Sequence, residues 1–274
     1  MISCSEEECT KVIRTDYAFF AAGHVYGYPG VDNDGFHPPF TESIPFLNDY
    51  ENLDLGLFTG DVVISDIKEN WDQYLVAKAD LDMETYIAAG NHDYKDIDLY
   101  KSYFGNPNYY FEYKSDLFIV LEVTTTGWDI SDESLSILNE ALSSINSPSQ
   151  NIFLFVHQLI WFEPDSKYTQ CYPNSLEGRR DITNFNSEIR PILESLNNQV
   201  VIYAGDIGAF ENGCAVMYDQ FSNIQLVASG MGGGQKDNVI ITKIDPVGEI
   251  TFDLIALNGE DKSAMGAVED YWLE

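Results

Sequence analysis

Short apolar runs alternate with amphipathic stretches through much of the chain. The first three apolar runs are 17–22, 55–59 and 86–89, and each is followed by a glycine and then a polar residue. Between two of them, 68–80 places its apolar residues at helical spacing. Continuous apolar runs of this length predict buried strands, and helical spacing predicts amphipathic helices that cover them. The pattern therefore indicates an α/β protein.

The same reasoning assigns the other elements. Further strands are predicted at 109–113, 117–123, 151–156, 199–204, 215–218, 224–228, 239–244 and 250–257. Further helices are predicted at 41–47, 96–103, 131–145 and 187–196, the last despite Pro191. Strand–helix alternation followed by a run of strands predicts a four-layer α/β/β/α sandwich, in which two sheets pack face to face with helices outside.

One domain is expected over 17–257, after an N-terminal extension, 1–16. The loop 158–181 is long for a compact domain and is a possible lid. The tail 258–274 is mostly polar, and its aromatic pair Tyr271-Trp272 is expected to pack back onto the domain.

Polar residues follow the ends of five predicted strands. The five segments are Gly23-His24, Gly60-Asp61, Gly90-Asn91-His92-Asp93, His157 and Gly205-Asp206-Ile207-Gly208. Since α/β folds place ligands beyond the carboxyl ends of their strands, these segments are expected to meet at one edge. Carboxylate, amide and imidazole groups bind hard or borderline metals, and a histidine can protonate a leaving group.

The order and spacing of these segments, over roughly residues 17–256, resemble the calcineurin-like metallophosphoesterases. The run Gly90-Asn91-His92-Asp93 after a strand is the most specific of them. The resemblance implies two metals and a metal-activated water that attacks phosphorus. The chain departs from the family at both ends: the first motif, Asp-x-His, reads Ala22-Gly23-His24, and the last, Gly-His-x-His, reads Gly205-Asp206-Ile207-Gly208.

Both departures fall on the same metal site. By resemblance, one metal would need side chains from Ala22 and Gly208, which have none that coordinates, beside His24 and the bridging Asp61. The positions of the other metal all carry side chains that can coordinate: Asp61, Asn91, His157 and Asp206. Three oxygens and one imidazole favour Mn²⁺, Mg²⁺, Fe²⁺ or Ca²⁺, and Zn²⁺ stays open.

The resemblance also suggests the proton-transfer and phosphate-binding groups. His92 would act as the general acid or as a phosphate hydrogen-bond donor, and Asp93 would orient it. His24 would serve an altered role, such as a phosphate contact. Structural alternatives stay open for three residues: His24 as an ordinary core or surface residue, Asp206 as a loop cap, and His37 as a structural histidine.

Two adjacent arginines stand out because the chain has so few. Arg179 and Arg180 lie in the predicted lid, where guanidinium groups could hold a phosphate. A surface ion pair in an acidic protein is the alternative.

The charge balance limits the partners. Forty-five acidic residues against 14 basic ones give a net charge of −31, which makes nucleic acids and anionic membranes unfavourable partners. The acidity fits a protein adapted to salt or, alternatively, a cation-binding surface. A small phosphorylated substrate is expected, and the oligomeric state is left open. No apolar run reaches the length of a transmembrane helix.

The four cysteines show no metal-type spacing. Free buried thiols are expected for Cys4, Cys9, Cys171 and Cys214, with a Cys4–Cys9 bridge as the alternative. The start as given lacks a secretory signal, so the expectation is a cytoplasmic protein, or an exported one if a leader was removed before Met1.

The sequence thus favours metal-dependent hydrolysis of a phosphate mono- or diester, with one intact metal site. The main alternative is a non-catalytic descendant that binds a metal or a phosphorylated ligand. A scaffold subunit with a vestigial site is a third interpretation, which the retained Asp61, Asn91, His92, Asp93 and His157 disfavour.

Overall fold

The first sheet carries the N-terminal half of the predicted site. The computed structural model describes residues 15–274. Three parallel strands, β1 (Tyr17–Ala22), β2 (Leu53–Phe58) and β3 (Glu84–Ile87), lie in sequence order. β10 (Asn238–Ile244) pairs antiparallel with β1, and β11 (Ile250–Ala256) pairs with β10, giving the order β11-β10-β1-β2-β3.

The second sheet has six strands in the order β4-β5-β6-β7-β9-β8. They are β4 (Tyr109–Tyr113), β5 (Asp116–Val120), β6 (Ile152–Phe155), β7 (Val200–Ala204), β8 (Val216–Phe221) and β9 (Ile224–Ser229). The four central strands are parallel, so β6 and β7 end at the same edge.

Helices cover the outer face of each sheet. α1 (Pro38–Asn48), α2 (Lys68–Lys78) and α3 (Ile97–Phe104) bury their apolar faces against the first sheet. α4 (Asp132–Ser143) and α5 (Arg190–Glu194) pack on the second sheet.

The core between the sheets is aromatic. The ring of Phe19 lies 4.9 Å from that of Phe153 and 5.2 Å from that of Phe118, centroid to centroid, both edge-to-face. Its neighbour Phe20 points the other way, towards the helices, because successive strand residues face opposite sides. Such ring pairs contribute about 0.5–1.5 kcal/mol each beyond area burial. The four-layer sandwich predicted from the sequence is confirmed.

Two local predictions have different outcomes. The strands predicted at 109–113 and 117–123 are confirmed as the antiparallel pair β4 and β5, and the tight turn that joins them has Lys114 and Ser115 left-handed at φ 44° and 70°. The helix predicted at 187–196 is instead a π-helical turn, Phe185–Ile189, followed by α5. Pro191 has no N–H to donate to the preceding turn, so it is accommodated in the first turn of α5.

The C-terminal residues contact the domain as expected. Val268 is fully buried in the core between the sheets, and the ring of Trp272 lies 5.3 Å from that of Tyr218. Within residues 15–274, every helix is too short or too polar to cross a bilayer.

Candidate active site

The loops that follow five strands meet at one edge of the sandwich. The N–H of His24 donates to the carbonyl of Gly60 at 3.0 Å, which joins the loops after β1 and β2. The N–H of Asp206 donates to the carbonyl of His157 at 3.0 Å, which joins the loops after β6 and β7. Nδ1 of His157 lies 2.8 Å from the carbonyl oxygen of Thr59, which joins the loops of the two sheets, as the strand-end pattern predicted.

Asp61 lies at the centre of this cluster. Its Oδ1 is 3.3 Å from Nε2 of His157 and accepts from the N–H of His92 at 3.1 Å, and its Oδ2 is 3.6 Å from Nε2 of His24. Burial alone would raise the pKa of Asp61, but the surrounding histidines, His157 foremost, lower it well below its usual range. Asp61 therefore stays ionised and supplies a fixed negative charge.

His157 is oriented by a backbone carbonyl. Its Nδ1 lies 2.8 Å from the carbonyl oxygen of Thr59, which can only accept, so this nitrogen carries the hydrogen. The other nitrogen, Nε2, is buried, lies 3.3 Å from Oδ1 of Asp61 and is 4.0 Å from Oδ1 of Asp206. Burial would lower the pKa of His157, but Asp61 and Asp206 raise it to about 10. The carboxylates thus favour positive charge at this point.

Asp206 is buried beside the same imidazole. Burial raises its pKa to about 8, with His157 acting in the opposite direction. Asn91 is half-buried and, with Asp206, lines the adjoining cleft. A cation among Asp61, His157 and Asp206 would offset the cost of burying two carboxylates.

The donor set fits one divalent metal in kind. An imidazole held through Nδ1 by a carbonyl, with Nε2 turned towards carboxylates, is the arrangement in which histidines ligate metals. Over the described residues 15–274, however, no three histidine, cysteine, aspartate or glutamate side chains form a group that could already hold an ion. The structure therefore shows suitable donors rather than a finished coordination sphere.

The second metal position of the family does not fit. Ala22 is buried and apolar, and Gly208 has φ 81°. A Cβ at Gly208 would lie 2.5 Å from the backbone carbonyl carbon of Gly230. At this position of the last motif, where the family has a histidine, backbone packing therefore leaves no room for a side chain.

His92 is held differently from the sequence expectation. Its Nδ1 donates to the carbonyl of Ile64 at 2.7 Å, and its ring lies 5.1 Å from that of Tyr26. Asp93 instead accepts from the backbone N–H groups of Val62 and Gly90, both at 2.8 Å. The expected orienting contact of Asp93 is thus wrong, because the turn aims this carboxylate at the backbone and away from the imidazole.

Asp93 is fully buried inside the loop that it organises. Burial and the nearby Asp61 raise its pKa to about 7. It also accepts from the N–H of Val63 at 3.1 Å. Asp93 therefore ties the loop after β2 to the loop after β3.

His24 is buried behind Tyr26. The two rings lie 4.4 Å apart, and burial lowers the pKa of His24 to about 4. His24 is therefore neutral near pH 7 and brings no positive charge to a phosphate. Sequence analysis missed Tyr26, whose place between the rings of His24 and His92 depends on the path of the loop after β1.

A cleft of about 660 Å³ opens beside Asp206. Its walls include the predicted Asn91 and His92, and also residues that sequence analysis did not single out: Lys95, Thr125, Thr126, Trp128, Gln158, Ser175, Glu177 and Gly178. No motif marks these residues, because three separate loops bring them together.

Neither predicted arginine is among the described residues that line this cleft. Arg179 donates through Nη2 to the carbonyls of Phe162 and Asp181, and its guanidinium lies 5.1 Å from the ring centroid of Phe162. Arg180 pairs with Asp129 at 3.1 Å on the surface. A phosphate role for either residue stays a prediction and would require the loop to rearrange.

A disulfide joins Cys171 and Cys214, so the expectation of free thiols is wrong for this pair. The cysteines are 43 residues apart in sequence, with Cα atoms 5.1 Å apart. Cys171 lies in the loop 158–181, and Cys214 lies in the loop after β7 that also carries Asp206. Spacing could not reveal the bond because two long loops have to fold together first. Cys4 and Cys9 lie outside the described residues.

The sandwich and its strand-end cluster place the chain in the metallophosphoesterase class. A model of the family "Calcineurin-like phosphoesterase" matches residues 33–172, just over half of the chain. The chain belongs to the calcineurin-like phosphoesterase family.

One solved structure supports the same fold. The chain is similar to the purple acid phosphatase PPD1 from yellow lupin (Lupinus luteus) seeds, with a TM-score of 0.63 and 15% identity. That alignment covers 89% of this chain and 52% of the lupin chain, so this chain spans about half of that enzyme's length. A putative 5′-nucleotidase from Staphylococcus aureus aligns over 90% of this chain and 55% of its own, with a TM-score of 0.40 and 10% identity. No curated protein sequence matches.

Proposed function

We propose that this protein hydrolyses a phosphate mono- or diester, using one divalent metal held by Asp61, Asn91, His157 and Asp206. The observation that carries the proposal is the buried cluster in which Nε2 of His157 lies 3.3 Å from Oδ1 of Asp61 and 4.0 Å from Oδ1 of Asp206. Burying two carboxylates together is costly unless positive charge offsets them, and a divalent metal would supply that charge. Membership of a phosphoesterase family supports the reaction type.

The ion would be Mn²⁺, Mg²⁺, Fe²⁺, Ca²⁺ or Zn²⁺, given the oxygen-rich donor set. When bound, an ion of this kind supplies Lewis-acid charge and activates water. The chain's own residues hold it: Thr59 fixes the tautomer of His157, and Asp61 stays ionised at neutral pH.

His92 is the proposed general acid. The carbonyl of Ile64 accepts the hydrogen on Nδ1, so it is in the imidazolium form, with both nitrogens protonated, that Nε2 can give a proton to a leaving oxygen in the cleft. Asp93 positions His92 indirectly, since it fixes the backbone on either side of this loop. His24, neutral and buried, would act only as a hydrogen-bonding group behind Tyr26.

The substrate is proposed to be a small phosphorylated compound. The cleft volume of about 660 Å³ suits a small ligand. A net charge of −31 opposes nucleic acids and other long polyanions.

Metal analysis and activity measurements test this proposal together. We expect purified protein, equilibrated with Mn²⁺ and desalted, to retain one ion per chain. We also expect hydrolysis of at least one ester in a panel of phosphomonoesters and diesters. Two retained ions per chain, or none at saturating Mn²⁺, would contradict the one-metal assignment.

Replacing His92 tests the proposed acid. His92→Ala should lower the hydrolytic rate by about 10²–10⁴-fold, the usual contribution of a positioned acid or base. Metal content should stay at the wild-type value, because His92 is not a proposed ligand. A variant that keeps its full rate would show that another group donates the proton.

A non-catalytic phospho-ligand-binding protein is the second candidate. The loss of the second metal position at Ala22 and Gly208 favours it. A wild-type protein that retains metal and binds phosphate but cleaves no ester would support this alternative.

A further inference from the structure

We infer that Lys95 binds the phosphate group of the ligand and that its charge favours a terminal phosphate over a diester. The inference rests on the proposed function, because it names a substrate contact at that site. Lys95 is not part of the run Asn91-His92-Asp93 that marked the site in the sequence.

Lys95 lies on the cleft wall together with His92, Asn91 and Asp206. Among the described residues that line the cleft, it is the one lysine or arginine. The carboxylate of Glu177, on the same walls, would repel a phosphate that met no cation. Lys95 is thus the side chain that can offset this charge.

The backbone around Lys95 is fixed on both sides. Two residues before it, Asp93 accepts backbone hydrogen bonds from Val62 and Gly90. One residue after it, the N–H of Asp96 donates to Oδ2 of Asp66 at 2.6 Å, and the Asp96 side chain caps α3. A lysine held between two such anchors has a defined starting point, while its long side chain can follow a ligand.

Among residues 15–274, no side chain forms an ion pair with the ammonium of Lys95. Lys95 is also exposed. The two arginines expected to hold phosphate are, by contrast, engaged with Phe162, Asp181 and Asp129. Lys95 can therefore offer its positive charge to an anion that binds beside His92 and Asn91.

The same charge argument gives a substrate preference. At neutral pH a phosphomonoester carries about two negative charges and a diester one. With one metal in place of two, the site has less positive charge to offer the more negative substrate. Removing Lys95 should therefore weaken monoester binding more than diester binding.

Binding of inorganic phosphate to Mn²⁺-loaded protein, measured by titration calorimetry, tests the contact without relying on turnover. We expect Lys95→Ala to weaken phosphate binding by about 10–100-fold, the range for a charge-assisted hydrogen bond. Lys95→Arg should retain most of the affinity. Metal content and melting temperature should match the wild type in both variants.

Lys101→Ala is the matched control. Lys101 is an exposed lysine on α3 that does not line the cleft. It should leave phosphate affinity unchanged, which would exclude a general effect of net charge. If Lys95→Ala binds phosphate within twofold of wild type, or if Lys101→Ala weakens binding equally, the inference fails.

Kinetics separate this inference from the proposed function. Where an ester is cleaved, Lys95→Ala should lower kcat/KM for a monoester at least several-fold more than for a diester. If wild type cleaves no ester but Lys95→Ala still loses phosphate, the phosphate contact stands and the hydrolase proposal fails. If wild type cleaves esters and Lys95→Ala is unaffected in both assays, the contact fails and the hydrolase proposal stands.

Discussion

His24 and Asp61 share an uncommon backbone conformation, with φ of 57° and 52°. A left-handed residue other than glycine costs about 1–2 kcal/mol, and such strain concentrates at functional sites. In both cases the residue directly follows a strand and turns its side chain back towards the cluster. The two residues with a strained backbone, His24 and Asp61, are thus two of the three side chains that come together with His157.

Gly208 is also left-handed, but as a glycine it has no side chain to turn towards the cluster. Gly208→Ala should destabilise the protein by about 1–2 kcal/mol from backbone strain. A further ~1–3 kcal/mol should come from the clash with Gly230. Gly259, with φ 82° and open space around its Cα, is the matched control, and Gly259→Ala should show the strain alone. Urea unfolding of both variants measures the difference.

The same contact predicts the result of restoring the family motif. Gly208→His should not create a second metal site, because its backbone neighbour leaves no room for a side chain. Metal analysis that found two ions per chain in this variant would refute this account.

At the scale of elements, the loop 158–181 is held against the loop after β5 by contacts of its own residues. The N–H of Gly127 donates to the carbonyl of Gly178 at 2.6 Å, and the Arg179 guanidinium lies 5.9 Å from the ring centroid of Trp128. Trp128 is buried with φ 61° and lines the cleft. We therefore infer that Arg179 positions this wall of the cleft.

The two arginines should behave differently. Arg179→Ala should increase proteolytic cleavage within 158–181 and raise KM, because the loop loses two carbonyl contacts and the ring contacts. Arg180→Ala should change stability by less than about 0.5 kcal/mol, since its ion pair with Asp129 is exposed. Limited proteolysis with phosphate titration distinguishes the cases. Equal loss of phosphate affinity in both variants, with partial rescue by lysine, would support the direct phosphate clamp predicted from sequence.

At the scale of the whole molecule, the Cys171–Cys214 bond joins two loops that reach the site from different strands. Close to the disulfide, the N–H of Asn174 donates to the carbonyl of Asp206 at 2.8 Å. The same two loops therefore also hold the backbone of Asp206, a proposed metal ligand. Disulfides persist in oxidising compartments, which favours the exported alternative for this protein.

Removing the bond should destabilise the fold. The double variant Cys171→Ser/Cys214→Ser should lose about 2–4 kcal/mol of unfolding free energy, as expected for a closed loop of this size. Wild-type protein treated with a reductant should show a similar shift in denaturant midpoint. The fully oxidised wild type is the reference, and an unchanged midpoint in both samples would contradict this prediction.

Local patterns determined most of the architecture. Apolar runs such as 17–22 and helical spacing such as that of 68–80 predict strands and helices because these periodicities reflect burial along a single element. The polar residues that follow strand ends predicted where Asp61, His157 and Asp206 would meet, since parallel strands end at one edge.

Only the tertiary structure decided which groups touch within that edge. The carbonyl of Ile64, rather than the adjacent Asp93, orients His92, and Arg179 contacts Phe162 rather than the cleft. The same holds for Cys171, whose partner lies 43 residues away. These pairings depend on the paths of long loops, which carry no periodicity. Side chains far apart in sequence become neighbours only when the backbone around them has folded.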